Sequence, residues 1–188
     1  MEEKYDNYNN VSTKKGIQRG VNGMIIETKF FVPKTRGKLI ARPHLNQRLN
    51  EGLHNKLTLI TAPAGYGKST LLSEWTTTVD AQIAWISLDE DDNHPVQFWT
   101  HTIRALSRAF PSSSEKFARH PIEVGLYGNT HIAMMINLIH RLSEQMVLIW
   151  DDFHIVKEPS ILNGVSYLIK RLPSHVHFFI ASRSIPPL

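Results

Sequence analysis

The sequence predicts an α/β domain in which a parallel sheet is covered by helices on both faces. Three observations predict it. Four short runs, Leu57–Thr61, 83–88, 146–150 and Val176–Ser182, are largely apolar without alternation, as strands buried on both faces must be. The segments between them carry apolar residues every three or four positions, the spacing of an amphipathic helix. The residues with chemistry to offer are a glycine-rich turn at 62–67, Asp151 and Asp152, and Arg183. All of them fall just after predicted strands, where ligands of open parallel sheets sit.

Taken in order, residues 1–23 are polar and aperiodic and read as a flexible tail, which leaves 24–188 as the domain. Residues 24–26 are apolar, 28–33 read as extended, and 36–42 as a basic loop. Pro43 suits a first helical turn, with Leu45, Leu49 and Leu53 following on one face. After the first strand and the glycine turn, a helix is expected to about Thr77. The second strand, IAWISL at 83–88, leads into an acidic loop at 89–93. Asp92 or Asn93 is the expected cap of the next helix, with Pro95 in its first turn. Its apolar stripe is Val96, Trp99, Ile103, Leu106 and Phe110. Residues 111–129 are loop-rich. Asn129 or Thr130 then starts a helix carrying Ile132, Met135, Ile136, Ile139 and Leu142. The third strand runs straight into Asp151. Pro159 opens a helix with Leu162, Val165, Leu168, Ile169 and Leu172, and the fourth strand ends before Arg183.

The stretch 56–72, KLTLITAPAGYGKSTLL, joins strand, glycine loop, Lys-Ser and helix, which is the physical recipe for holding a triphosphate. Gly65 and Gly67 let the backbone turn tightly and aim N–H groups inward. The helix N-terminus adds its partial positive charge. Lys68 supplies a full charge for the outer phosphates, and the Ser69 hydroxyl is placed to ligate Mg²⁺. The nucleotide-binding set is therefore Ala64, Gly65, Tyr66, Gly67, Lys68, Ser69 and Thr70. The pattern G-x-x-x-x-G-K-[ST] is broken at its first position by Ala62, where the strand leaves for the loop and a small residue suffices. Asp151 sits where a carboxylate holds Mg²⁺, with Ser69 as its partner ligand. Asp152 is placed to orient or deprotonate an attacking water. Arg183 offers a planar fork to a γ-phosphate. Arg42 precedes the helix before the first strand, a position near the base of a nucleotide.

Composition narrows the alternatives. The chain has 188 residues, 41% of them hydrophobic, enough for one buried core. No run of 18 apolar residues occurs, so no membrane span is expected, and the polar N-terminus has no signal-peptide core, so the expectation is cytoplasmic. There is no cysteine, which excludes disulfides and thiolate metal sites. The net charge of +4 comes from dispersed Lys and Arg. Ten histidines show no H-x-x-x-H spacing.

Six segments together resemble a known family: TKFFVPKTR, LIARPHLNQRLNEGL, KLTLITAPAGYGKSTLLSEW, IAWISLDEDDNHPVQFW, VLIWDDFHIV and HFFIASRSIPPL. The chain is similar over 28–188 to the N-terminal ATPase module of the MalT-like, LuxR-type ATP-dependent transcriptional regulators. These are P-loop NTPases of the STAND class. The resemblance implies a three-layer αβα sandwich with strand order 5-1-4-3-2 and ATP and Mg²⁺ as cofactors; Asp152, one methylene shorter than a Glu, adds the expectation of slow hydrolysis suited to a switch. It implies that Asp151 and Asp152 form the Walker B pair, that Arg183 is the sensor arginine, and that Arg42-Pro43 lies near the adenine. Four strands without a fifth imply a fragment lacking the last strand, with the first strand an apolar edge open to self-association. DNA would be read only by a C-terminal domain outside this chain. Two other readings stay open: a stand-alone small P-loop kinase, and a non-catalytic interaction fragment.

Overall fold

The structure, a computed structural model, describes residues 26–34, 42–118 and 129–188. The expected tail at 1–23 and most of the basic loop at 36–42 lie outside them. Four strands, β1 (Leu57–Thr61), β2 (Gln82–Ser87), β3 (Met146–Asp151) and β4 (Val176–Ser182), form one wholly parallel sheet in the order β1-β4-β3-β2. β4 lies between the strand that feeds the glycine loop and the strand that ends at Asp151, so those two do not adjoin. This is the order that the family resemblance implies for strands one to four.

Side-chain alternation along the strands divides the core into two layers. On one face Trp85, Val147, Ile149, Phe179 and Ala181 pack with Leu49 of α1 (Pro43–Gly52) and with Leu71, Leu72 and Trp75 of α2 (Lys68–Thr76). On the other, Ile86, Leu148, Trp150, Phe178 and Ile180 meet three helices, α3 (Pro95–Ala109), α5 (Asn129–His140) and α6 (Pro159–Lys170). A short α4 (Ser114–Ala118) follows α3. Every residue of β3 and β4 is buried, whereas β1 is half-buried, with Leu59 39% exposed, because it lies at the sheet edge. No helix among the described residues is long and apolar enough to cross a membrane.

Several expectations are corrected. Residues 27–30 are not extended but form a 3₁₀ turn, Glu27–Phe30, that turns Lys29 and Phe30 inward. The Lys29 ammonium reaches Asp89 and Asp92, and Phe30 meets the His101 ring edge-on at 5.6 Å, so tertiary contacts override the β-propensity of the segment. Neither Asp92 nor Asn93 caps α3, which starts from His94 without a side-chain cap. Asp89 instead caps a 3₁₀ turn, Glu90–Asn93, with Asp92 closing the capping box. Asp92 is taken up by Lys29 and His101, and Asn93 Oδ1 accepts the Lys157 and Glu158 N–H groups at 2.7 and 2.9 Å. In α3 the fully buried aromatic is Phe98, while Val96 and Trp99 are only partly buried. In α6 Ile161 is fully buried and Leu162 and Ile169 lie at the margin. β2 begins and ends one residue earlier than expected, and β3 takes in Asp151.

Candidate functional site

The carboxyl ends of β1, β4 and β3 lie side by side. Thr61 pairs with Ser182, and the Ala62 N–H donates to the Ser182 carbonyl at 3.3 Å. Trp150 pairs with Ile180, which brings Asp151 level with the end of β4. The glycine loop, Asp151-Asp152 and Arg183 therefore gather at one rim, as their spacing in the sequence predicts.

The loop is shaped by its two glycines. Gly65 has φ +81° and Gly67 φ +77°, the left-handed region that a side chain makes costly. Gly67 precedes Lys68, the first residue of α2, so the loop delivers the chain to a helix N-terminus whose N–H groups face the rim. Lys68 is nearly buried, and its ammonium donates to the Ala62 carbonyl at 2.8 Å and the Pro63 carbonyl at 3.2 Å. Arg42, at the start of α1, donates to the Tyr66 carbonyl at 3.3 Å. It thus braces the loop from outside, and Pro43 beside it is exposed. Ala64, Tyr66 and Thr70 are exposed; Ser69 is half-buried.

Asp151 is 3% exposed. Burial pushes its carboxyl above the usual range, and the negative charge of Asp152 pushes the same way. A hydrogen bond from Ser69, the Asp152 N–H and the Lys68 charge pull against them without prevailing. Ser69, from α2, and Asp151, from β3, thus meet at this rim. Asp152 has φ +59° and is the only non-glycine residue with positive φ among the described residues. That conformation lets its N–H donate to Asp151 Oδ1 at 3.0 Å and starts a 3₁₀ turn, Phe153–Ile155. Arg183 is exposed beyond β4; burial first, and then the Arg183 charge, hold the His154 imidazole below its ordinary pKa.

These residues suit a polyphosphate with a divalent cation. The Lys68 charge is held by carbonyl dipoles of its own loop, ready for an anion. Ser69 and Asp151 offer hard oxygen donors. Reading the sequence by motif missed His154, whose Nδ1 is 3.7 Å from Asp152 Oδ1. Its position two residues after the Asp pair was the available signal.

No family model matches the chain. It is 30% identical over 168 residues to the HTH-type transcriptional regulator MalT of Cronobacter sakazakii, covering 88% of this chain and 18% of that protein. The MalT of Yersinia enterocolitica is 30% identical over 171 residues, with the same coverage. The serine/threonine-protein kinase PknK of Mycobacterium tuberculosis is 29% identical over 164 residues, 84% of this chain and 14% of that protein. The chain spans less than a fifth of the length of these curated relatives. Among solved structures, Cdc6p from Pyrobaculum aerophilum superposes with a TM-score of 0.55 over 85% of this chain and 43% of that one. At 18% identity this is a likeness of fold. With its parallel sheet and glycine loop, the chain is a P-loop module similar to a part of the MalT-type regulators.

Proposed function

We propose that the chain is an ATP-binding, slowly hydrolysing switch module of a MalT-like transcriptional regulator. The observation that carries this reading is the left-handed glycine loop that sets Lys68 and the N-terminus of α2 beside the buried Asp151. In this reading residues 24–188 form the nucleotide-binding domain. Ala64 to Thr70 wrap the phosphates, and Lys68 transfers its hydrogen bonds from the loop carbonyls to the outer phosphate oxygens. Ser69 and Asp151 hold Mg²⁺, which when bound offsets the charge of the phosphates and of Asp151. Arg42 and Pro43 lie toward the base side.

Hydrolysis joins a water oxygen to the γ-phosphorus and breaks its bond to the β–γ bridging oxygen. ADP leaves, Asp152 takes the proton, and Arg183 stabilises the charge on the γ-phosphoryl oxygens. The short Asp152 side chain suits a slow reaction and hence a switch. DNA recognition is assigned to other segments of such regulators, and residence in the cytoplasm is part of the same reading.

Titrating the full chain with MgATP and MgADP in a calorimeter, alongside a phosphate-release assay, tests it. Saturable binding of both nucleotides with slow phosphate release is expected. Absence of binding by a folded chain would contradict it.

A further inference from the structure

His154 occupies a position that the nucleotide reading does not use. The turn that carries it is fixed from below. Phe153 has no solvent exposure and stacks on Trp150 at 5.6 Å between ring centroids. The Ile155 N–H donates to the Asp152 carbonyl and the Val156 N–H to the Phe153 carbonyl. The side chain of His154 is 18% exposed, and its Nδ1 is buried without a hydrogen-bond partner among the described residues. A buried polar atom left in that state is costly and calls for a reason. The polar atom Nδ1 approaches is Oδ1 of Asp152, 3.7 Å away, on a carboxylate that is 44% exposed. A small torsional change in that half-exposed side chain closes the gap to a normal hydrogen bond of about 2.7–3.2 Å.

Asp152 itself is held in left-handed backbone, a conformation that concentrates at functional sites. Burial and the neighbouring Arg183, with Lys68 and Lys157 adding to them, hold the imidazole below its ordinary pKa against the pull of Asp152. The ring is therefore neutral near pH 7 and acts through its tautomer, with one nitrogen donating and the other accepting.

We propose that His154 is a positioning residue for Asp152. Its Nδ1–H donates to the carboxylate and fixes the orientation that Asp152 presents to water at the rim of the site. The link to hydrolysis rests on the nucleotide reading above; the Asp152–His154 pairing does not.

Two measurements test the proposal separately from that reading. The first uses ¹H–¹⁵N correlation of the imidazole nitrogens in the full chain at about pH 8, without nucleotide, assigned with His154→Gln. An Nδ1–H tautomer is expected, changing to Nε2–H in Asp152→Gly, which suits the left-handed backbone and removes the acceptor. An Nε2–H tautomer in the unsubstituted chain, or a spectrum indifferent to Asp152→Gly, would overturn the proposal. The second is steady-state hydrolysis. His154→Ala is expected to lower kcat roughly tenfold with KM for MgATP changed less than about twofold. It should add no further loss in the Asp152→Gly background, and His154→Asn should recover part of the rate. An unchanged kcat in His154→Ala would overturn the proposal. A chain that binds no MgATP would sink the nucleotide reading, and the tautomer experiment would still decide the pairing.

Discussion

The Lys29 ammonium lies 2.6 Å from Oδ2 of Asp92, a side chain with no solvent exposure. His101 Nδ1 meets the other oxygen at 2.5 Å, and the Asp89 N–H reaches Oδ2 at 2.8 Å. Burial alone would raise the Asp92 carboxyl. Hydrogen bonds from His101 and Lys29 overcome it and hold the group below its ordinary value of 3.8. The cluster fastens the segment before α1 to the loop after β2. Removing the cation from a buried pair leaves an uncompensated charge, so Lys29→Met is expected to cost about 3 kcal/mol, a melting temperature lower by roughly 6–12 °C. Scanning calorimetry checks it, and a negligible change would contradict it. Because the folded-state pKa is depressed, the stability that Asp92 contributes is present above its unfolded value. It is lost as pH falls through the folded value, so the difference between the two chains should shrink in strong acid.

Asp151 has the opposite sign. Its folded-state carboxyl is raised, so it costs stability once ionised. The cost is absent below the unfolded value of 3.8, grows as pH rises, and is complete above the folded value. Asp151→Asn keeps an acceptor oxygen and loses the buried charge. It is expected to raise the nucleotide-free melting temperature near pH 7 by a few degrees and to abolish the gain in nucleotide affinity from Mg²⁺. A lower melting temperature at pH 7 would show that the Ser69 hydrogen bond outweighs the burial.

What the sequence could reveal depended on how local each signal was. The glycine loop, Lys68 and the end of β1 are adjacent in the chain, and the strand–loop–helix arrangement places them with no long-range information. Leu71, Leu72 and Trp75, or Ile132, Met135 and Ile139, announce their helices by spacing and are buried as expected. The segment at 27–30 misled because Lys29 is drawn inward by Asp92, 63 residues away, which no periodicity records. Asn93 likewise looked like a cap and instead ties down the backbone at 157 and 158, after β3. The unmet Nδ1 of His154 depends on a left-handed Asp152, a backbone state that residue type alone does not reveal.

Gly67→Ala tests the loop's shape. The new Cβ would meet a backbone at φ +77° and lie 3.8 Å from the Arg42 guanidinium. The left-handed backbone costs about 1–2 kcal/mol for an L-residue. Nucleotide affinity is expected to fall roughly tenfold or more, with circular dichroism of the native chain unchanged. Undiminished affinity would show that the left-handed turn is dispensable.

The β1 edge bears on association. Leu59 is exposed on a strand that, among the described residues, is paired on one side, and an apolar edge invites strand pairing between copies. Sedimentation velocity is expected to show concentration-dependent self-association that Leu59→Lys weakens. A monomer at all concentrations would rule this out.

Lys68 offers the most direct measurement: calorimetric titration of the full chain and of Lys68→Ala with MgATP. Loss of the ammonium removes charge-assisted hydrogen bonds of about 1.5–3 kcal/mol each. The substituted chain is therefore expected to bind at least about 100-fold more weakly while keeping its fold. Equal affinity in the two chains would contradict a phosphate cradle built on this loop.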